Sequence, residues 1–283
     1  MSSWHSGRRF AVDPQGAPMS TEAELPKTVL ITGASAGIGK ALAHVFAANG
    51  FDVVLVARRE SKLNEVAAAI KKQYGQMAYV LIENLADPAA PQRIFDWCQA
   101  QQISVDALVN NAGYALHNEF LEAPWQAHLD FLQVLNVSVV QLCHLFAPAM
   151  KDRGYGRIIN LASVAAWSPQ LKGNLYGAAK AFVVDFSQAI DLELHPHGVH
   201  CTALCPGFTF SEFHDVMGTR GQVSKLPRFL WMTAEEVAQE GFDAVMEGKP
   251  VHVPGRVNQG LTQVMSMLPS SLKHYLSKQQ KVM

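Results

Sequence analysis

A serine at 163, a tyrosine at 176 and a lysine at 180 follow a glycine-rich stretch, Thr32-Gly33-Ala34-Ser35-Ala36-Gly37-Ile38-Gly39-Lys40. The glycine-rich stretch is open to three chemistries. Gly33-Ala34-Ser35-Ala36-Gly37 has the G-x-S-x-G form of a turn that presents a serine nucleophile. Gly33 to Lys40 approaches the P-loop pattern of nucleotide hydrolases. Gly33, Gly37 and Gly39 also suit a turn that receives a dinucleotide pyrophosphate. The nucleophile reading fails on order, because such a turn needs an earlier strand to supply part of its oxyanion hole, and Ser35 follows the first recognisable strand. The P-loop reading fails on geometry. Five residues rather than four separate Gly33 from Gly39-Lys40, and Ala41 stands where a magnesium-binding hydroxyl belongs. The dinucleotide reading fits its context, since a strand ends at Thr32 and Ile38 opens a helix whose N-terminus can hold phosphate.

These groups need elements to carry them. From Thr28 onward, short apolar runs alternate with longer amphipathic ones. Strands are expected at 28–32, 52–57, 77–83, 106–110, 157–163, 199–205 and 250–253. Helices are expected at about 37–49, 60–74, 88–101, 125–152, 174–195 and 233–247, the last opened by a Thr233-x-x-Glu236 capping box. Most strands are continuously apolar rather than alternating, as in a parallel sheet covered on both faces. Repeated β-α-β units with right-handed crossovers give an α/β fold: a Rossmann-type, doubly wound, mostly parallel seven-stranded sheet.

Residues 27–283 read as one domain after a leader, residues 1–26, whose Ser, Gly, Pro and charges show no hydrophobic period and are expected to be disordered. The leader lacks the apolar stretch of a secretory signal, while Arg8 and Arg9 leave an organellar transit peptide open. No apolar run approaches the ~18–20 residues of a membrane span, so no transmembrane helix is expected. A net charge of −1 and a pI of 6.8 leave no electrostatic footprint for nucleic acid. The four cysteines form no C-x-x-C pair, and Cys201 and Cys205 lie about 13 Å apart on one strand at about 3.3 Å per residue. Buried, reduced thiols in a cytoplasmic protein without a metal site are expected.

Ligands of open α/β sheets bind at the carboxyl ends of the strands. Here the fourth strand ends in Asn110-Asn111-Ala112-Gly113, the fifth in Ser163 and the sixth in Pro206-Gly207. The i,i+4 spacing of Tyr176 and Lys180 puts phenol and ammonium on one helix face. With Thr32-Gly33-x-x-x-Gly37-Ile38-Gly39 and Asn136, this set resembles the short-chain dehydrogenase/reductase family over about residues 28–253. The resemblance implies hydride transfer between a nicotinamide dinucleotide and a carbonyl/alcohol pair. It makes Tyr176 the proton donor in reduction, or the base in alcohol oxidation. A free phenol near pKa ~10 is a poor base, so Lys180 and an oxidised nicotinamide are expected to lower it. By the same resemblance Ser163 bonds the substrate oxygen, Lys180 also holds the nicotinamide ribose, and Asn136 anchors a water-mediated proton relay.

The resemblance further places Gly33, Ser35, Gly37, Ile38, Gly39, Arg58, Asn84, Leu85, Asn110, Ala112, Gly113, Tyr176, Lys180, Pro206, Gly207, Thr209 and Ser211 against the cofactor. The second strand ends Val56-Ala57-Arg58-Arg59, with no acid to accept from ribose hydroxyls. Arg58 offers a planar fork for a 2′-phosphate beside Ser35, so NADP(H) is expected, and Arg59 is read as a solvated helix-start residue. Asn84 replaces the family's usual aspartate and keeps one hydrogen bond to adenine; Ser211 stands where threonine is common.

Residues 208–232, with Phe208, Phe210, Phe213, Phe229, Leu230 and Trp231, fall where the family has a mobile substrate lid. An apolar lid fits a bulky hydrophobic ketone or aldehyde, with Tyr114, His117, Trp167, Phe208 and Phe213 as candidate pocket residues. In the C-terminal extension, residues 256–283, Val257, Leu261, Val264, Met265, Leu268, Leu272 and Leu276 recur at helical spacing, broken by Pro269. Packing on the body or on a partner subunit is the expectation for this face, and membrane-surface contact is the alternative. By analogy with the family, helices 125–152 and 174–195 form a homodimer or homotetramer interface.

Overall fold

The computed structural model describes residues 27–116, 120–168, 175–210 and 227–279. Seven parallel strands form the main sheet: β1 (Thr28–Thr32), β2 (Asp52–Ala57), β3 (Ala78–Ile82), β4 (Val105–Asn110), β5 (Gly156–Leu161), β6 (Val199–Leu204) and β9 (Val251–His252). They lie in the order β3-β2-β1-β4-β5-β6-β9. The order reverses between β1 and β4, and that switch point opens a crevice at the strands' carboxyl ends. The remaining two strands, β7 (Phe208–Phe210) and β8 (Trp231–Thr233), pair with each other in a separate parallel ribbon. The sequence pattern did not announce this ribbon, which is three residues long on each side.

The continuous apolar strands are explained by two cores. Val29, Ile31, Val53 and Leu55 face one, Leu30, Val54 and Val56 the other. The first is covered by α1 (Gly37–Ala48), α2 (Glu60–Tyr74) and α7 (Ala234–Met246), where Phe46 packs edge-on against Phe51 and Phe242 at 5.1 and 5.0 Å. The second is covered by α3 (Ala90–Ala100), α5 (Ser138–Arg153) and α6 (Tyr176–Leu194). The expected capping box opens α7, with Glu236 N–H donating to Thr233 Oγ1 at 3.1 Å and Thr233 N–H to Glu236 Oε2 at 2.8 Å. All four cysteines are buried and unpaired.

One expectation needs correction. α4 (Trp125–Leu132), a π-helical turn (Gln133–Val137) and α5 run on as one helix of 29 residues with a window of mean hydropathy 1.4, so by length and composition this helix qualifies as a membrane span. Its polar residues are dispersed, which hides its average apolarity from a search for unbroken runs. It packs into the second core through Phe131, Leu135, Leu142, Phe146 and Met150. The C-terminal helices α8 (Arg256–Met267) and α9 (Ser270–Gln279) break at Pro269 as expected, and this chain's own body leaves Val257, Leu261, Val264 and Leu272 exposed, so of the expected packings only the one on the body is not seen for them. Met265, Leu268 and Leu276 are only half-buried.

Candidate active site

The crevice begins at the turn between β1 and α1. Gly33 and Gly37 adopt φ of +68° and +54°, a left-handed backbone that side chains rarely accept. A Cβ on Gly33 would approach Asn111 Nδ2 to 2.7 Å and Ala112 Cα to 2.9 Å, and one on Gly39 would meet Gly33 O at 2.5 Å. The turn is thus pressed against the loop after β4, and two side chains fasten it there. Asn111 Nδ2 donates to the Thr32 and Gly33 carbonyls at 2.9 and 3.2 Å. Thr32 Oγ1 accepts from the Asn111 and Ala112 N–H groups at 3.0 and 3.1 Å and donates to Val109 O at 3.3 Å. Neither Asn111 nor Thr32 was given a binding role from sequence, although both sit inside the quoted motifs.

Asn110, expected at the cofactor, sends its side chain into the core. Its Nδ2 donates to Asn160 Oδ1 at 2.8 Å, and Asn160 Nδ2 continues to Ser187 Oγ at 3.0 Å. This buried polar chain ties β4, β5 and α6 together beneath the crevice. Asn160 and Ser187 carried no signal in the sequence beyond being polar residues within apolar runs. Leu85 is likewise a core residue, whose carbonyl accepts from Ser138 Oγ at 3.2 Å. Asn84 Oδ1 closes a turn by accepting from Ala86 N–H at 3.2 Å, which leaves its NH₂ group facing outward for a ligand acceptor.

At the other corner the arginines differ from expectation. Arg59, read as a solvated residue, donates from Nε and Nη2 to Ser35 Oγ at 3.3 and 3.0 Å. It holds the N-cap position of α2, from where its side chain returns over the β1 turn. Arg58 is exposed and lies close enough to Tyr114 for its charge to oppose the upward shift of that phenol, which burial chiefly causes. Tyr114 packs edge-on against Phe131 at 5.7 Å. The first turn of α1 has no side-chain cap and no acidic residue, so its N–H groups are free to meet an anion. The uncapped helix start, the glycine cradle and two guanidinium groups at the end of β2 fit a phosphorylated dinucleotide.

Ser163, Tyr176 and Lys180 come together as expected. Ser163 N-caps a short 3₁₀ turn (Val164–Ala166), accepting from Ala165 N–H at 3.1 Å and donating to Pro206 O at 3.5 Å. Tyr176 and Lys180 share a face of α6, with Lys180 Nζ 5.6 Å from the phenol ring centre. Lys180 is buried and donates to Leu161 O at 2.6 Å. A Cβ on Gly113 would stand 3.8 Å from that ammonium, so the loop after β4 reaches the catalytic helix. The expectation that Lys180 lowers the Tyr176 phenol is not met in the protein alone. Burial pushes the phenol up to about 12 against a hydrogen bond with Ser163, and burial also pulls the Lys180 ammonium down to about 8.

Asn136 lies in the π turn and donates to Ala179 O at 3.0 Å, while its Oδ1 is a buried acceptor with no partner in the protein. The widened turn is what permits an asparagine mid-helix to point at the backbone beside Lys180. On the far wall, a Cβ on Gly207 would strike the side chain of Asn258 at 2.6 Å, and Thr209 Oγ1 donates to Gly207 O at 3.2 Å. Asn258 donates to Pro254 O at 3.0 Å. It brings α8 to the Pro206-Gly207 turn, a contact that the residue's position in a tail did not signal. Phe208 and Phe210 pack on Trp231 at 5.5 and 4.7 Å. Trp167 lies against a small cluster with Val183, Val184 and Cys205. His117, Phe213 and Ser211 lie outside the described residues, as does most of the expected lid.

Known proteins are similar to this chain in sequence and fold. The family model for short chain dehydrogenase matches residues 27–219. An NADP-dependent 3-hydroxy acid dehydrogenase, YdfG of Escherichia coli (strain K12), is 33% identical over 220 residues, covering 75% of this chain and 86% of the relative. Among solved structures, a short-chain dehydrogenase from Sphingobium yanoikuyae in complex with NADPH is 29% identical with a TM-score of 0.75, over 87% of this chain and 97% of that one. A bulky-bulky ketone specific alcohol dehydrogenase from Comamonas testosteroni is 26% identical with a TM-score of 0.71, over 87% and 96%. The family match, the identity to these relatives and the shared fold show that the chain belongs to the short-chain dehydrogenase family, as an NADP-dependent oxidoreductase.

Proposed function

We propose that the enzyme reduces a bulky, hydrophobic ketone or aldehyde with NADPH. The observation that carries this reading is the gathering of Ser163, Tyr176 and Lys180 at the strands' carboxyl ends, with Ser163 bonded to the Pro206-Gly207 turn that leads into the aromatic ribbon of Phe208, Phe210 and Trp231. A phenol placed beside the substrate oxygen can give its proton to the alkoxide as that charge develops. Ser163 Oγ exchanges its long 3.5 Å bond to Pro206 O for the substrate oxygen and stabilises the growing negative charge. NADPH, when bound, supplies the hydride. Ser35, Arg59 and Arg58 would hold its 2′-phosphate, and the α1 N-terminus its pyrophosphate.

Lys180, buried and fixed to Leu161 O, places a positive charge beside the phenol that assists departure of its proton. Asn136 Oδ1, the unpaired acceptor next to this helix, is available to a water that returns the proton from solvent. The aromatic ribbon gives large apolar substrates a surface that excludes water. The similarity to the Comamonas enzyme supports a roomy ketone site. The proposal extends to a subunit interface on α5 and α6, supported by the exposure of Phe182 and Leu192 on α6 and of Val137 just before α5.

A panel of bulky and small ketones, aldehydes and the matching alcohols, followed by NADPH absorbance, tests the proposal. Efficient turnover of bulky apolar carbonyls supports it. Turnover confined to small polar hydroxy acids overturns it.

A further inference from the structure

The C-terminal segment has a charge unlike the rest of the chain. From Gly248 to Met283 the sequence holds five of the 23 lysines and arginines and none of the 24 aspartates and glutamates. The remainder is acidic in balance.

The helix that opens this segment is also turned the wrong way for a helix that only packs on its own domain. Val257, Leu261 and Val264 recur at i, i+4 and i+7 on one face of α8 and are 43%, 49% and 61% exposed. Its opposite side is polar and is anchored to the domain through Asn258, while Gln259, Gln263 and Ser266 are themselves exposed. Asn258 is buried against Gly207, and Gln259, Thr262, Gln263 and Ser266 line a groove of about 370 Å³ with Trp167 and β9. The apolar surface continues onto α9 through Leu272 and Tyr275, and onto the neighbouring 3₁₀ turn (Arg228–Leu230) through Phe229. Arg228, Arg256, His274 and Lys278 lie exposed around it.

We propose that α8 and α9 seat the enzyme on an anionic lipid surface, with the apolar stripe in the headgroup–acyl boundary and the cations against the headgroups. A helix of 12 residues is about 18 Å long and too short to cross the ~30 Å hydrocarbon core, so it lies in the plane of the interface. Charge chooses the occupant. Arg256 and Lys278 are exposed, and the segment that carries them has no acid to neutralise them. Anionic headgroups neutralise the same cations directly.

The test is vesicle flotation of the full-length protein with phosphatidylcholine vesicles, with and without phosphatidylglycerol, at low and high salt. Wild type is expected to float with the phosphatidylglycerol vesicles at low salt and far less with phosphatidylcholine alone. Leu261→Glu/Val264→Glu is expected to lower that partitioning about tenfold or more. Its NADPH-dependent turnover of a water-soluble ketone should stay unchanged, which shows that the variant is folded. Arg256→Gln/Lys278→Gln should weaken binding and flatten its salt dependence. Equal flotation of wild type and Leu261→Glu/Val264→Glu, or failure of wild type to float at low salt, overturns the proposal. So does a wild-type oligomer, measured by light scattering without lipid, that Leu261→Glu/Val264→Glu dissociates, because the stripe then belongs to a second copy.

Discussion

The two walls of the crevice are built from different materials. The wall formed by the β1 turn and the loop after β4 is held by directional bonds: Asn111 to two carbonyls, Thr32 to three backbone groups, and beneath them the Asn110–Asn160–Ser187 chain. The opposite wall is a short two-stranded ribbon whose aromatic rings stack on one another and are partly exposed. Hydrogen bonds fix distance and direction, whereas apolar contacts tolerate sliding and repacking. The first wall therefore suits a cofactor that is the same in every turnover. The second suits substrates that differ in shape.

The contrast can be broken most sharply at the group between the walls. Tyr176→Phe is expected to lower kcat by about 10²–10⁴-fold and to leave NADPH affinity nearly unchanged, as measured by steady-state kinetics and fluorescence titration. The same variant reads the phenol directly. The difference in tyrosinate absorbance between wild type and variant should rise near 12 in the free enzyme rather than near 10. The sign for stability follows. Between pH 10 and 12 the unfolded chain has lost a proton that the native protein keeps, so wild-type stability falls with rising pH and the variant lacks that slope. A difference spectrum centred below about 10 would mean that Lys180, rather than burial, controls this tyrosine.

Next in size is the rigid wall itself. Asn111→Leu removes two bonds at nearly constant volume and should cost about 1–3 kcal/mol of stability in denaturant titration, with a parallel loss of NADPH affinity. A variant as stable and as tight-binding as wild type would show that the bonds do not hold the turn. The corner of the same wall is tested by comparing Arg59→Ala with Arg58→Ala. Each should weaken NADPH binding by about tenfold or more and leave NADH nearly untouched, since only the former cofactor carries the 2′-phosphate. Equal losses for both cofactors would sink the assignment. The smallest effect is expected on the aromatic wall, where Phe210→Ala should change stability by under about 1 kcal/mol. It should raise KM several-fold for bulky ketones only, and a uniform rise across the panel would remove the distinction between the walls.

How much of this was legible in the sequence depends on what each residue's role requires. The glycine spacing after β1 and the i,i+4 pair of Tyr176 and Lys180 are local facts, and both sit where local pattern put them. The adjacent residues Asn110 and Asn111 show the limit. Their types are identical, but the first faces the core and the second the turn, because side chains at a strand end alternate and the pattern alone does not say which face is which. Arg58 and Arg59 part in the same way at the end of β2. The expected apolar seam of the tail had the right period, yet period says only that a helix has two faces, and not which one the domain covers.

Local chemistry thus determined the parallel sheet, the glycine cradle, the catalytic trio and the preference for a phosphorylated cofactor, because each depends on residue type and short spacing. Tertiary structure decided the rest. It turned Arg59 onto Ser35, brought Asn258 from the tail to Gly207, and left Leu261 and Val264 outward. It also buried the phenol of Tyr176, which raises it in the protein without its cofactor. Burial and direction are properties of the packed whole. A titrating group responds to the water removed around it as much as to its partner in the sequence.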